Sequence, residues 1–342
     1  MRHINIPIFI PHLGCPNDCV FCNQKTISGH CNYDKSGVRE QIERALETVE
    51  KDALVQIAFF GGSFTGIERD EMIYLLSLAK EYIDAGKINS LRLSTRPDYI
   101  DENILDILEK YGVKAVELGI QSISDKVLLA SNRGHTSEAS VRAMKLISER
   151  GFELVGQMMI GLPGSGIEDE LETARVICEC GAKAARIYPT VVFYDTKLCE
   201  MAQRGEYTPL TLDDAIERSF RVKSVFVDNG VECIRVGLQS AENLSDASKV
   251  YAGDYHDAVG ELVDCEIYYS KIAEYIRINS LEDKIRGKNI VIHAPFGEVS
   301  KIVGHKKKNK LRLQDEYNVK NIKVIEKKNI LRYNIYIDLE NE

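Results

Sequence analysis

The sequence predicts an α/β protein, an open (β/α)6 partial TIM barrel followed by a small C-terminal α/β module. Strand-like apolar runs alternate with amphipathic helical stretches, an order that gives a parallel sheet with helical crossovers. Six such units occur, which is too few for a closed eight-stranded barrel. A shift to basic composition near Lys284 separates the C-terminal module from the barrel.

The predicted elements alternate regularly along the chain. Strands are predicted at 4–10, 55–60, 90–95, 115–119, 153–160, 184–188 and 232–236, the first six forming the barrel. Helices are predicted at 38–51, 71–84, 101–110, 137–150, 168–180 and 211–229. We therefore expect three parts, namely a barrel domain over 1–240, a connecting helical and loop segment over 241–285, and a basic module over 286–342.

Length and composition are those of a globular protein. The chain has 342 residues, of which 44% are hydrophobic and 28% charged. No run approaches the roughly 18 apolar residues that a transmembrane helix needs. The N-terminus has neither the basic flank nor the small-residue cleavage site of a signal peptide. We therefore expect a cytoplasmic protein without a membrane partner.

Charge is distributed unevenly within the net value of −8. From Lys284 to the C-terminus, 14 Lys and Arg residues stand against 7 Asp and Glu residues, so the preceding part is strongly acidic. A basic module on an acidic body indicates an anionic partner. A solvated basic surface gives the same balance and is the alternative.

Three of the nine cysteines, Cys15, Cys19 and Cys22, follow the first predicted strand in C-x3-C-x2-C spacing. An odd number of otherwise scattered cysteines does not indicate a disulfide framework. The loop can wrap a [4Fe–4S] cluster, or a zinc ion with Cys31 or His30 as fourth ligand. Three thiolates leave one iron of a [4Fe–4S] cluster open, and the amino and carboxylate groups of S-adenosylmethionine (SAM) can chelate it. We favour the cluster with SAM, which makes these cysteines both metal ligands and catalytic centre.

Six further motifs follow in order. They are FGGSFT at 60–65, STRPDY at 94–99, VELGIQS at 116–122, NRGHT at 132–136, MIGLPG at 159–164 and RIYPT at 186–190. With the cysteine spacing, they resemble the radical SAM superfamily, in particular the radical SAM domain of the Elongator catalytic subunit, over roughly 4–240. Oxygen-independent coproporphyrinogen oxidases are less similar. The resemblance implies an enzyme that cleaves SAM reductively to a 5′-deoxyadenosyl radical, with an external electron donor of flavodoxin or ferredoxin type.

The resemblance also implies contacts with SAM. Gly61 and Gly62 would let the backbone approach the methionyl amino group, and Phe21 would pack near the adenine. Arg133 would pair with the SAM carboxylate, because a guanidinium matches a carboxylate. The remaining candidates stand on or near strand ends, where they contact SAM or hold the strands by hydrogen bonds: Ser94, Arg96, Glu117, Gln121, Gln157 and, as a cation at the barrel mouth where the Elongator subunit has Lys, Arg186.

The resemblance stops near residue 240. About 100 residues follow Val236, too few for the acetyltransferase domain that comes next in the Elongator catalytic subunit. Acetyl transfer to the wobble uridine of tRNA is therefore not implied for this sequence.

The C-terminal module has its own order of elements. A strand at 289–293, two helical stretches and a strand at 321–325 are predicted, with the loop Gly304-His305-Lys306-Lys307 between the helices. This resembles a KH RNA-binding domain, whose GxxG loop clamps a nucleotide backbone. Lys307 replaces the second glycine, which hinders close approach but adds charge. We expect RNA contacts from Gly304, Lys306, Lys307 and Lys308; a small α/β cap with a solvated basic helix is the alternative.

These features give three hypotheses for function. The leading one is a radical SAM enzyme that modifies an RNA nucleotide, most simply in tRNA. The second is a radical SAM enzyme that acts on a small molecule, such as a tetrapyrrole, or on a peptide. The third is an iron–sulfur RNA-binding or sensor module without catalysis.

Overall fold

The computed structural model describes residues 3–10, 15, 19–23, 34–50, 52–238, 248–253 and 256–339. The chain forms two compact units, Met1–Tyr255 and His256–Glu342. The expected connecting segment, 241–285, therefore spans the boundary, and its part from 256 onwards belongs to the second unit. In the described part of the chain, no helix is both long enough and apolar enough to cross a membrane.

The first unit is built on a seven-stranded parallel sheet in the order β1-β2-β3-β4-β5-β6-β8. Its strands are β1 (His3–Phe9), β2 (Leu54–Phe60), β3 (Ser90–Thr95), β4 (Val113–Gln121), β5 (Glu153–Ile160), β6 (Ala184–Pro189) and β8 (Glu232–Val236). Neighbouring strands follow one another in sequence, so the sheet is an open, curled partial barrel. The predicted fold class is confirmed, with β8 as a seventh strand beyond the six barrel units. A short antiparallel ribbon pairs β7 (Val192–Phe193) with β9 (Val250–Ala252).

Helices connect the strands at the six places that the sequence pattern predicts, and two short helices, Asp125–Ala130 and Lys197–Gln203, were not predicted. They are α1 (Val38–Leu46), α2 (Arg69–Asp84), α3 (Glu102–Lys110), α4 (Asp125–Ala130), α5 (Ser137–Glu149), α6 (Ile167–Glu179), α7 (Lys197–Gln203) and α8 (Leu212–Asp228). Side-chain caps fix where several of them begin. The Asp101 carboxylate accepts a hydrogen bond from Ile104 N at 2.8 Å, and Thr211 and Asp214 form a capping box at the start of α8.

The two faces of the large sheet differ in chemistry because side chains alternate along each strand. One face carries apolar residues such as Ile57, Leu93 and Leu118, which belong to a core shared with the helices. The other face, which we call the polar face, carries hydrogen-bonding and charged side chains. Its members on the central strands are Gln56, Arg92, Ser94, Glu117, Gln157 and Arg186.

The second unit contains a three-stranded sheet in the order β11-β10-β12. Its elements are α9 (Val259–Ile278), α10 (Glu282–Ile285), β10 (Asn289–Pro295), α11 (Val299–Val303), α12 (Lys308–Tyr317), β11 (Asn321–Lys327) and β12 (Tyr336–Leu339). The predicted strand–helix–loop–helix–strand order is present, and β12 pairs with β10 in the antiparallel sense. Helix α9 contributes Tyr268, Ile272 and Ile276 to the apolar core of this unit.

Candidate active site

The three cysteines follow β1, at the carboxyl edge of the large sheet. Within the loop, Cys22 N donates to Cys19 O at 3.0 Å, and Val20 is tied to two other segments by backbone hydrogen bonds. Cys15 Sγ lies 3.6 Å from the hydroxyl of Ser63, just beyond β2. The described side chains contain no group of three His, Cys, Asp or Glu in metal-ligating geometry. Residues 11–14 and 16–18, and the alternative zinc ligands His30 and Cys31, lie outside the described residues.

Arg133 lies next to the cysteine loop. Its Nη1 donates to Cys19 Sγ at 3.4 Å, and its Nη2 donates to Gly119 O at 2.7 Å. A Cβ atom at Gly119 would lie 2.8 Å from Arg133 Nη2 and 3.1 Å from Gln121 Nε2. A side chain at this position would displace the guanidinium from its present place, so Gly119 belongs to the site although the sequence alone does not single it out.

Arg96 is the second arginine near the thiols. Only 2% of its surface is exposed, and its guanidinium lies within electrostatic range of the sulfurs of Cys15 and Cys19. Asp98 holds it in a bidentate pair, with Nε–Oδ1 and Nη2–Oδ2 both at 2.9 Å. Burial raises the pKa of Asp98, but the paired guanidinium outweighs burial and holds this pKa below its ordinary value. Asp98 is thus ionised, and Arg96 presents its remaining nitrogen, Nη1, away from the pair.

His135 completes this group of polar side chains. Burial, followed by the charge of Arg133, lowers its pKa to about 4, so the imidazole is neutral at pH 7. Its Nδ1 lies 3.3 Å from both Thr136 O and Ser140 Oγ. His135 stands within the NRGHT motif, but the sequence gives it no role of its own.

Among the buried polar atoms in this region that have no hydrogen-bond partner in the described part of the chain are Arg96 Nη1, Gln121 Oε1 and His135 Nε2. Buried polar atoms are rarely left unpaired, so such atoms around two thiols indicate a polar ligand. SAM carries an amino group, a carboxylate and ribose hydroxyls, which supply the matching donors and acceptors. The residues present therefore fit SAM beside an iron–sulfur cluster.

Three of the predicted SAM contacts instead bond to one another on the polar face. Glu117, 1% exposed, accepts hydrogen bonds from Arg92 at 3.2 Å, from Gln157 at 2.8 Å and from Arg186 at 2.9 Å. Ser94 lies on β3 in register with Glu117. A role for Glu117, Gln157, Arg186 or Ser94 in SAM binding stays a prediction.

The glycines after β2 and the aromatic residue of the cysteine loop have structural surroundings of their own. Gly61 has φ +103°, and a Cβ there would lie 3.2 Å from Ile10 N, so close approach to the end of β1 requires glycine. Gly62 follows it and is partly buried. Phe21 packs against a small apolar cluster that includes Val20 and Cys199. Their predicted contacts with SAM stay predictions.

Comparison with known families decides how this site is interpreted. Residues 9–177 match the radical SAM superfamily, and residues 182–269 match the Radical_SAM C-terminal domain. The chain belongs to the radical SAM superfamily. It is therefore an enzyme whose cofactors are a [4Fe–4S] cluster and SAM. When both are bound, the chemistry that they supply is the reductive cleavage of SAM at the cluster.

Individual relatives of this radical SAM protein point towards the Elongator group. An uncharacterized protein of Methanocaldococcus jannaschii is 33% identical, over 61% of this chain and 67% of that protein. The tRNA uridine(34) acetyltransferase of Methanocaldococcus infernus is 30% identical over 54% of this chain, but the match spans only 38% of that enzyme. The solved structure of Methanocaldococcus infernus Elp3, lacking residues 1–46, has a TM-score of 0.59 at 24% identity, over 82% of this chain and 63% of that one. The predicted resemblance to the Elongator catalytic subunit is confirmed.

Proposed function

We propose that this radical SAM enzyme modifies an RNA nucleotide, with tRNA as the substrate class. The observation that carries the proposal is the basic loop of the second unit, Gly304–Lys307, in which Gly304 is buried and the three residues after it are exposed. The names of the acetyltransferase relatives support tRNA, although this chain spans less than two fifths of their length. Acetyl transfer is not part of the proposal.

The first unit would hold the cofactors. Cys15, Cys19 and Cys22 would bind the cluster through their thiolates. Two guanidinium groups would bind the carboxylate and neighbouring oxygens of SAM. They belong to Arg133, which contacts the Cys19 sulfur, and to Arg96, which would use its unpaired nitrogen. The buried pairs that fix these guanidiniums would keep the cofactor oriented and limit access of water. An external electron donor of flavodoxin or ferredoxin type would supply the reducing equivalent.

The basic loop has an unusual backbone. Gly304 has φ +80°, and a Cβ there would lie 2.7 Å from Asn309 N, so glycine is required for α12 to begin so close by. Lys306 and Lys307 both have left-handed backbones, with φ of 50° and 65°. Such conformations cost free energy in residues other than glycine and occur mostly at functional sites. These left-handed residues between two helices support the proposal that the loop acts like the GxxG loop of a KH domain.

The side chains of this loop are available to a phosphate backbone. His305, Lys306 and Lys307 are exposed. Lys308, the fourth predicted RNA contact, is also exposed but forms an ion pair with Glu266 at 3.1 Å. We therefore expect Lys306 and Lys307 to contribute more to RNA affinity than Lys308.

Anaerobically reconstituted full-length protein tests the RNA interaction directly. Wild-type protein should bind unfractionated tRNA with an affinity that falls steeply as salt rises. The double variant Lys306→Glu, Lys307→Glu should bind at least about tenfold more weakly, because each substitution replaces an attraction to phosphate by a repulsion. The matched control Lys114→Glu, Lys183→Glu makes the same charge change at exposed positions of the first unit. Equal loss in both variants, or no binding by wild-type protein at low salt, would rule out the loop as an RNA site.

Comparative nucleoside mass spectrometry would identify the reaction. Digested tRNA and rRNA from wild-type and deletion strains should differ by one modified nucleoside if the proposal is correct. Unchanged nucleosides, combined with 5′-deoxyadenosine formation in the presence of a metabolite extract, would instead support the small-molecule or peptide hypothesis.

A further inference from the structure

Two arginines stand side by side on the last strands of the large sheet. Arg186 on β6 and Arg235 on β8 are register partners in a parallel pair. Neighbouring strands lie about 4.8 Å apart, so the two side chains begin close together. Like charges on adjacent strands destabilise a sheet unless another charge compensates them. Arg235 is partly buried, which strengthens the repulsion.

The carboxylates of the polar face do not compensate both arginines. Glu117 pairs with Arg186, but it is shared with Arg92, whose other nitrogen binds Glu153 at 2.9 Å. Arg92 and Arg186 therefore occupy both carboxylates, which leaves the charge of Arg235 in excess. Within the described part of the chain, no Asp or Glu oxygen lies within ion-pair distance of Arg235. An anion bound beside Arg235 would supply the charge that the described residues do not.

Tyr188 adds a neutral donor to the two cations. It lies two residues beyond Arg186 on β6, within hydrogen-bonding reach of that guanidinium, and the charge of Arg235 also acts on its hydroxyl. Burial raises the pKa of Tyr188, so the phenol keeps its proton at neutral pH. Guanidinium groups have only donors, and a protonated phenol can donate one more hydrogen bond.

We propose that Arg235, together with Arg186 and Tyr188, binds an oxyanion group of the substrate, a phosphate or a carboxylate. Planar guanidiniums match both groups, and the carboxyl ends of parallel strands are where such folds bind their ligands. Glu117 positions Arg186 and leaves Arg235 as the cation that the substrate neutralises. The choice of phosphate rests on the proposed function, because an RNA substrate supplies phosphates, whereas a tetrapyrrole would supply carboxylates.

Binding measurements on the anaerobically reconstituted full chain test the site. The probes are unfractionated tRNA and a tetracarboxylate porphyrin. Arg235→Gln should weaken the probe that is bound through this site by about tenfold, whereas Arg235→Lys, which keeps the charge, should stay within about threefold of wild type. For tRNA, Arg235→Gln should also reduce the slope of log affinity against log salt by about 0.7 to 0.9, the value for one phosphate contact.

Two further variants serve as controls for the effect of Arg235→Gln. Lys114→Gln removes one charge from an exposed position on β4 and should leave both probes unaffected. Tyr188→Phe removes only the hydroxyl and should weaken binding by several fold, so the site remains testable if Arg235→Gln does not fold.

The outcomes separate the site from the RNA function. Binding of tRNA that is equal in wild type, Arg235→Gln and Tyr188→Phe, with one salt slope, would overturn the oxyanion site and leave the RNA proposal standing. Porphyrin binding that depends on Arg235, with no tRNA binding, would support the site and overturn the RNA proposal. Binding of neither probe would overturn both.

Discussion

Replacing Glu117 with glutamine should lower the free energy of unfolding of the first unit by about 3 kcal/mol or more, because it removes the charge from a buried ion-pair network. The Glu117 carboxylate is almost fully buried and accepts hydrogen bonds from Arg92, Arg186 and Gln157. Glutamine keeps one oxygen that accepts hydrogen bonds, but its NH2 group replaces the other oxygen and faces the donors of the neighbouring side chains, from which it cannot accept a hydrogen bond. It leaves the two guanidiniums with no shared carboxylate, and breaking a buried pair costs about 3 to 5 kcal/mol.

The matched control for this variant is Glu153→Gln. Glu153 binds the same Arg92 at 2.9 Å, but 41% of its side chain is exposed. Solvent screens such a pair, so its loss should cost no more than about 1 kcal/mol. Urea unfolding of the anaerobically purified full chain, followed by circular dichroism, compares the two variants at constant pH. Equal shifts in the first unfolding transition would refute the argument that burial makes Glu117 the centre of the polar face.

Three further predictions concern the cofactor site and the basic loop. Gly119→Ala should displace Arg133 and weaken SAM binding in anaerobic equilibrium dialysis by about tenfold, whereas Gly37→Ala, with open space around its Cβ position, should not; equal SAM affinity would show that Arg133 does not bind SAM. Because folding lowers the pKa of His135 to about 4, the unfolded chain takes up the proton first as pH falls. The difference in pKa between the two states corresponds to about 3 kcal/mol of stability, which is fully present above pH 6.5 and is lost as pH falls towards 4. In the variant His135→Gln, the urea midpoint should depend less on pH between 4 and 6.5. An unchanged dependence would show that His135 does not titrate with a lowered pKa in the folded protein. Gly304→Ala should force the basic loop away from Asn309 and weaken tRNA binding in a filter-binding assay; unchanged affinity would show that the loop geometry is irrelevant to RNA.

The large sheet could be predicted because the sequence patterns of its strands and of its connecting helices are both local. Apolar runs mark the strands, amphipathic stretches mark the helices, and short connections leave little choice of neighbour. Strand ends were less predictable: β4 runs from Val113 to Gln121, longer than the predicted 115–119. Strand β12 was missed because Tyr336–Leu339 is short and only Ile337 in it is buried, which leaves a weak apolar pattern.

The site could be predicted only where the spacing of residues along the sequence itself indicates what they bind. Three cysteines within eight residues indicate a cluster loop by their spacing alone. The pairing of Arg96 with Asp98 was missed, although Asp98 stands only two residues away, because spacing does not show that the side chains meet. His135 and Gly119 owe their roles to burial beside Arg133, a contact between segments that no local pattern reveals.

Contacts between strands explain the remaining differences. Glu117, Gln157 and Arg186 were separate candidates in the sequence, yet register places them where they bond to each other. The register of β8 also places Arg235 beside Arg186, and a bulge between Ala185 and Arg186 shifts this pairing by one residue. Sequence patterns do not specify such shifts, which is why Arg235 was overlooked.

We propose that Cys15, Cys19 and Cys22 hold the cluster with which this enzyme cleaves SAM. The most direct measurement is formation of 5′-deoxyadenosine from SAM by the anaerobically reconstituted full chain with dithionite, alongside its iron and sulfide content. Wild-type protein should contain about four irons per chain and form the product, and single Cys→Ala variants at these positions should lose both, whereas Cys178→Ala should lose neither. A wild-type chain that carries the full cluster but forms no product, or a Cys19→Ala variant that keeps both, would contradict the claim.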